Sequence, residues 1–191
     1  MSEPAKPSDV LKAEHQVILR AIRVLDHLVD QADTGANPDI DGCRQCVRIF
    51  RLFADACHHA KEEDLLFPAL ERCGIPKENG PIGVMLYEHS VARSLTRDMA
   101  EALDAHAGND PEGAGRFITA ARTYIELLTN HIYKEDNVLF AMGDRVLGDQ
   151  DRSRLCQAFC EVACRKFEGS SAAELEGAVA ALESRYPVGG P

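Results

Sequence analysis

An all-α chain, built as an up-and-down four-helix bundle with a C-terminal helical hairpin, is predicted by three features of the sequence. β-branched and aromatic residues are sparse beside Ala, Leu, Glu and Arg. Apolar residues recur at helical spacing in four long stretches separated by short Gly-, Pro- and Asn-containing breaks. One stretch also returns: His58-His59-Ala60-Lys61-Glu62-Glu63-Asp64-Leu65-Leu66-Phe67 reappears as His131-Ile132-Tyr133-Lys134-Glu135-Asp136-Asn137-Val138-Leu139-Phe140. The 191 residues are enough to bury a core without disulfide staples. The expected division is a bundle over 1–147 and a hairpin with its tail over 148–191.

Residues 1–7 read as a mobile lead, and Ser8 is placed to cap a first helix with its apolar stripe at Leu11, Ile18, Ile22, Leu25 and Val29. His15 falls within that stripe. Gly35-Ala36-Asn37-Pro38-Asp39 predicts a turn, with Asn37 or Asp39 capping a second helix. The stripe of that helix is Val47, Phe50, Ala54, His58, Glu62, Leu65 and Ala69, and Gly74 and Pro76 stop it. After Asn79-Gly80-Pro81 a third helix carries Met85, Leu86, His89, Ala92, Met99 and Leu103 and ends near Gly108. Asp110-Pro111 is read as the start of a fourth, with Phe117, Ala121, Tyr124, Leu128, His131, Glu135 and Met142 inward and Gly143 as its close. Beyond it, Asp149 is expected to cap a helix running through Phe167, and Ser171-x-x-Glu174 forms a capping box for a last helix that stops before Pro187. This hairpin is expected to pack on the bundle or to meet a protein partner or a second copy of the chain.

Composition removes several function classes. A net charge of −10 without a basic run opposes nucleic acid and anionic lipid. No run of about 18 apolar residues is present to span a membrane, and the N-terminus lacks the layout of a secretory signal, so the expectation is a cytoplasmic protein. Seven cysteines, an odd number, fit reduced thiols better than a disulfide framework. Cys156, Cys160 and Cys164 share a helical face and are expected to pack in a core or interface. The pair Cys43-x-x-Cys46 lies inside a helix and is weak evidence for a metal or redox site.

The chemistry sits in the repeat. Histidine four residues before glutamate puts both side chains on one helical face, one turn apart. His58 and Glu62 form one such pair, His131 and Glu135 the other. His15 and His89 each follow a glutamate, and 74 residues separate them, against 73 between the two His-x-x-x-Glu pairs. Six inward donors in two related hairpins predict a metal site at the bundle centre. Imidazole and carboxylate without thiolate suit iron or manganese better than structural zinc.

This pattern, ordered across four helices and including the Glu-Glu-Asp-Leu-Leu-Phe-Pro tail after His58, resembles the hemerythrin-like, or HHE cation-binding, domain over roughly residues 8–147. The resemblance implies a non-heme di-iron centre with two Fe ions, oxo- or hydroxo-bridged. It assigns His15 and His58 to one iron, His89 and His131 to the other, and Glu62 and Glu135 to the space between. Oxygen-carrying members have a fifth histidine one turn after the third-helix ligand, where this chain has Arg93. Two octahedral irons sharing the carboxylates and an oxygen bridge would then keep about two positions open. The implied ligand is dioxygen or another small oxidant such as peroxide or nitric oxide, bound or turned over. The alternative is an iron-handling or oxygen-sensing module that signals through the C-terminal hairpin.

Other candidates are assigned lesser roles. His59 lies about 100° round an α-helix from His58, and Ile132 holds the matching place in the second copy, so His59 is expected at the surface or behind the ligands. Tyr124 is expected in the core, two turns from the metal. Glu14 and Glu88 are read as solvated flanks, His27 as exposed, and His106 as complementing a helix C-terminus.

Overall fold

The computed structural model describes residues 6–34 and 37–187. Gly35 and Ala36 of the expected turn, most of the expected lead and the last residues of the tail lie outside that description. Among the described residues there are six helices and no strand beyond a single bridge between Phe167 and Ser170. Helix α1 is Pro7–Asp33. The second, α2, runs without a break over residues 40–72, and α3 is Pro81–Ala107. The fourth, α4, covers residues 113–146, and α5 (Asp149–Ala163) and α6 (Ala172–Arg185) form the hairpin.

Several predicted boundaries shift, some for a local reason and some because a distant residue competes. Pro7 occupies the first turn of α1, where its missing N–H costs nothing, and Ser8 instead donates to Asp144 Oδ1 at 2.7 Å across the bundle. Asp39 does cap α2, accepting from the Gly42 N–H at 3.0 Å. Asp110 builds a turn that precedes α4 by accepting from the Glu112 N–H, so the helix begins at Gly113 and not at Pro111. Gly143 does not end α4. It lies within the helix where a Cβ would press on Leu70 at 3.0 Å, so its missing side chain allows α4 and α2 to approach. In the hairpin, α5 stops at Ala163 rather than Phe167, and the chain reverses through Glu168 and Gly169, both at positive φ. The capping box of Ser171 and Glu174 is complete.

Two helices are widened. The Phe67 N–H donates to the Glu62 carbonyl and the Phe140 N–H to the Glu135 carbonyl, both five residues back, so each copy of the repeat opens a π-type turn at its glutamate. Only α2 carries a further π-type stretch, Phe50–His59, closed by the Ala60 N–H on the Asp55 carbonyl.

The core is divided. One apolar cluster holds Ile18, Leu25, Phe50, Phe53, Ala92, Phe117 and Tyr124. The other holds Leu11, Leu66, Phe67, Leu70, Met85, Leu139 and Phe140. On each of the four bundle helices the switch from one cluster to the other falls at the predicted ligands: between Leu11 and Val17, Cys57 and Leu66, Met85 and Ala92, and Ile132 and Leu139. A polar layer therefore crosses the bundle.

The hairpin belongs to the same core, since Val162, Phe167, Leu175, Val179, Leu182 and Tyr186 join the first cluster. Arg20 Nη2 meets Glu183 at 2.5 Å, and the Tyr186 hydroxyl donates to Asp39 at 2.5 Å while its ring fills the space over Gly42. Cys160 and Cys164 are exposed and Cys156 is half-buried, so this cysteine face is not packed in the chain's own core. Cys43, Cys46 and Cys57 are the buried thiols, and burial pushes Cys43 up to about 12. No described helix is long and apolar enough to cross a membrane.

Truncating Leu175 of α6 to Ala should lower unfolding stability by about 2–5 kcal/mol, the range for an emptied leucine site in a packed core. Urea unfolding measures it, and a loss below about 0.5 kcal/mol would show that α6 is only a surface addition.

Candidate metal centre

The polar layer contains His15 from α1, His58 and Glu62 from α2, His89 from α3, and His131 and Glu135 from α4, all at most 1% exposed. Their donor atoms form two groups, each with its atoms within 4.8 Å of one another: His15, His58, Glu62 and Glu135 in one, His59, Glu62, His89 and His131 in the other. The structure thus brings all six predicted residues together and adds His59.

Each histidine is aimed by a carboxylate behind it. His15 Nδ1 is 2.8 Å from Asp136, His58 Nδ1 is 3.0 Å from Glu14, His89 Nδ1 is 2.6 Å from Glu63 and His131 Nδ1 is 2.8 Å from Glu88. An ionised carboxylate only accepts, so Nδ1 must carry the proton and donate it. In the neutral ring this leaves the Nε2 lone pair facing the centre of the layer, as metal ligation requires. The supporting acids obey the same repeat as the six predicted donors: Glu14 and Glu88 precede the lone histidines, while Glu63 and Asp136 follow the central glutamates. Glu14 and Glu88 are therefore not solvated flanks. Lys61 and Lys134 clasp them in turn. Phe67 stacks on His89 and Phe140 on His15, completing the correspondence.

The centre itself is short of partners. His15 Nε2, His58 Nε2 and all four carboxylate oxygens of Glu62 and Glu135 are buried without a hydrogen bond. Several lie close without bonding geometry, such as His15 Nε2 and Glu135 Oε2 at 3.2 Å and His58 Nε2 and Glu62 Oε1 at 3.5 Å. Burying carboxylate oxygens unpaired is costly, and a cation coordinated by them removes the cost. The donor set fits a pair of cations.

Electrostatics of the layer follow from this crowding. Burial and the neighbouring Glu135 carboxylate hold Glu62 well above the usual carboxylate range. Burial also opposes a charge on Glu135, but the His131 and His15 imidazoles outweigh it and hold Glu135 low. At His131 burial is likewise overcome by Glu135 and Glu88, which raise it to about 9, whereas burial and the charge of His15 bring His58 down to about 4.

Some sequence expectations need correction here. His59 is 2% exposed and stacks on His89 at 3.8 Å, so it faces the layer and not the surface. The reason is the π-type stretch that ends at His59, in which successive residues turn through less than the 100° of an α-helix, so His58 and His59 both face inward. Arg93 turns away from the ligand atoms and binds Asp55 and Glu63, each at 2.7 Å. Tyr124 is buried against Phe50, with ring centroids 4.7 Å apart, in the apolar cluster beside the layer. His27 is half-buried and bonded to Gln31, and His106 packs beside Gly113.

A family model, that of the hemerythrin HHE cation binding domain, matches residues 6–143. The chain is also 24% identical over 161 residues to uncharacterized proteins of Mycobacterium tuberculosis and Mycobacterium bovis, an overlap covering 84% of this chain and 62% of theirs. It therefore spans less than two thirds of the length of these relatives. No solved structure matches it significantly.

Two results are expected from the layer. Substituting Glu62→Leu should abolish metal uptake yet stabilise the metal-free chain by about 1–4 kcal/mol, because an apolar side chain replaces an uncompensated buried acid. Metal analysis and thermal unfolding read the two effects, and a less stable metal-free variant would refute the second. Metal uptake should also release protons at neutral pH, since His131, raised to about 9, holds a proton there that the cation displaces. Affinity should rise with pH, and calorimetry in buffers of different ionisation enthalpy counts the protons.

Proposed function

The chain belongs to the family of hemerythrin HHE cation-binding domains, and on that footing we propose that its polar layer holds two iron ions that bind dioxygen or a related small oxidant, peroxide or nitric oxide. The observation that carries this reading is the set of unpartnered donor atoms on His15, His58, Glu62 and Glu135, buried between two apolar clusters. His15 and His58 would hold one ion, His89 and His131 the other, and Glu62 and Glu135 would span them. Such an iron pair, when bound, supplies two adjacent one-electron centres with positions open to a small ligand.

The protein's own contribution is orientation and exclusion. Asp136, Glu14, Glu63 and Glu88 fix the imidazole tautomers, and Lys61 and Lys134 fix Glu14 and Glu88. With every central residue at most 2% exposed, only molecules of a few atoms can reach the layer through fluctuations of the side chains. The acidic groups behind the histidines disfavour anions, so small neutral oxidants are the fitting class.

The reading is tested by metal analysis of freshly purified protein, with absorption spectra before and after anaerobic reduction and readmission of air. About two irons per chain are expected, with an absorption band that bleaches on reduction and returns. Zinc, a single metal or none would defeat it. Reversible uptake would identify a carrier or sensor, and sustained consumption of peroxide or nitric oxide an enzyme.

A further inference from the structure

The repeat is broken at one point of the layer. The second copy has the apolar Ile132 where the first has His59, and both are buried. The His59 ring lies over His89 and meets His131 edge-on at 5.9 Å, and its donor atom groups with those of Glu62, His89 and His131. Its Nδ1 faces Asp55 at 3.4 Å. A buried imidazole with a carboxylate behind it and metal-ligand donors in front repeats the arrangement of the other four histidines. The extra π-type stretch of α2, absent from α4, is what turns it inward.

A second feature points the same way. Arg93 Nε donates to Asp55 Oδ1 and Arg93 Nη2 to Glu63 Oε1, both at 2.7 Å. The first oxygen also faces His59 Nδ1, and the second accepts from His89 Nδ1. One planar guanidinium therefore holds both carboxylates that back His59 and His89, and its rigid fork fixes their separation. This clamp serves only one half of the layer.

From this geometry we infer that His59 is a third imidazole ligand of the ion held by His89 and His131, and that Arg93 is the positioning residue that aims His59 and His89 through Asp55 and Glu63. The inference rests on the two-metal reading above. It makes the centre unsymmetrical, with three imidazoles on one ion and the His15 and His58 pair on the other.

The test uses the full-length chain loaded with cobalt(II), whose ligand imidazole N–H protons give shifted NMR signals that vanish in D2O. One such signal is expected for each of His15, His58, His59, His89 and His131. His59→Phe, which keeps a ring over His89 but has no donor atom, should delete one signal and leave the others. Arg93→Gln should keep every signal and weaken the second cobalt by about 10–100-fold, the usual cost of losing support behind a ligand. A wild-type spectrum without a His59 signal, or a His59→Phe spectrum identical to wild type, overturns the assignment. The wild-type count decides even if His59→Phe fails to fold. Metal content of the same sample separates the two readings: two cobalts without a His59 signal defeats the third ligand alone, and fewer than two defeats both.

Discussion

Two glutamates, Glu62 and Glu135, face each other at the centre of a helix bundle with no hydrogen bond to any of their oxygens. In a medium of low polarity such groups repel each other and cost several kcal/mol each. Much of the remaining architecture can be understood as managing that cost. The apolar clusters on either side supply hydrophobic stabilisation, and the hairpin extends the larger one by packing Leu175, Val179 and Leu182 into it. The result is a fold that tolerates a costly layer where a simple apolar core would be more stable, which is the usual signature of a site retained for function.

Around the centre, charge is arranged in rings of alternating sign. Imidazoles surround the two glutamates, carboxylates stand behind the imidazoles, and lysine or arginine holds most of those carboxylates. The rings follow the internal repeat closely, yet the two halves differ in exposure. Lys61 is fully buried beside Cys57, while the Lys134 side chain is 39% exposed. The half containing Arg93, Asp55 and His59 has no equivalent in the other. Pseudo-symmetry thus pairs the two donor groups, and departures from it give them different surroundings.

Most of the fold was legible because it rests on local rules. The 3.6-residue period, Asp39, Gly74 and the Ser171 capping box each act within a turn or two of their own position. Boundaries failed where a distant partner competed. Ser8 gave up a cap for Asp144, and Gly143 served a helix contact with Leu70 instead of a stop. The six predicted donors could be picked out because the His-x-x-x-Glu spacing is itself a local rule, repeated at a constant offset. The acids behind them repeat at the same offsets, so Glu14 with Glu88 and Glu63 with Asp136 carried a readable signal, though periodicity alone assigned the first pair to a flank.

The sequence by itself determined the helical class, the paired motifs and the set of residues able to meet at one level of the bundle, because each depends on spacing along a single helix. Tertiary structure decided which carboxylate backs which histidine, since His15 finds Asp136 and His89 finds Glu63 across helix interfaces that no local spacing specifies. It also decided the direction of His59 and Arg93. Whether His59 points inward depends on a π-type widening of α2, and a small change in turn angle accumulated over Phe50–His59 is enough to move a side chain from one face of a helix to another.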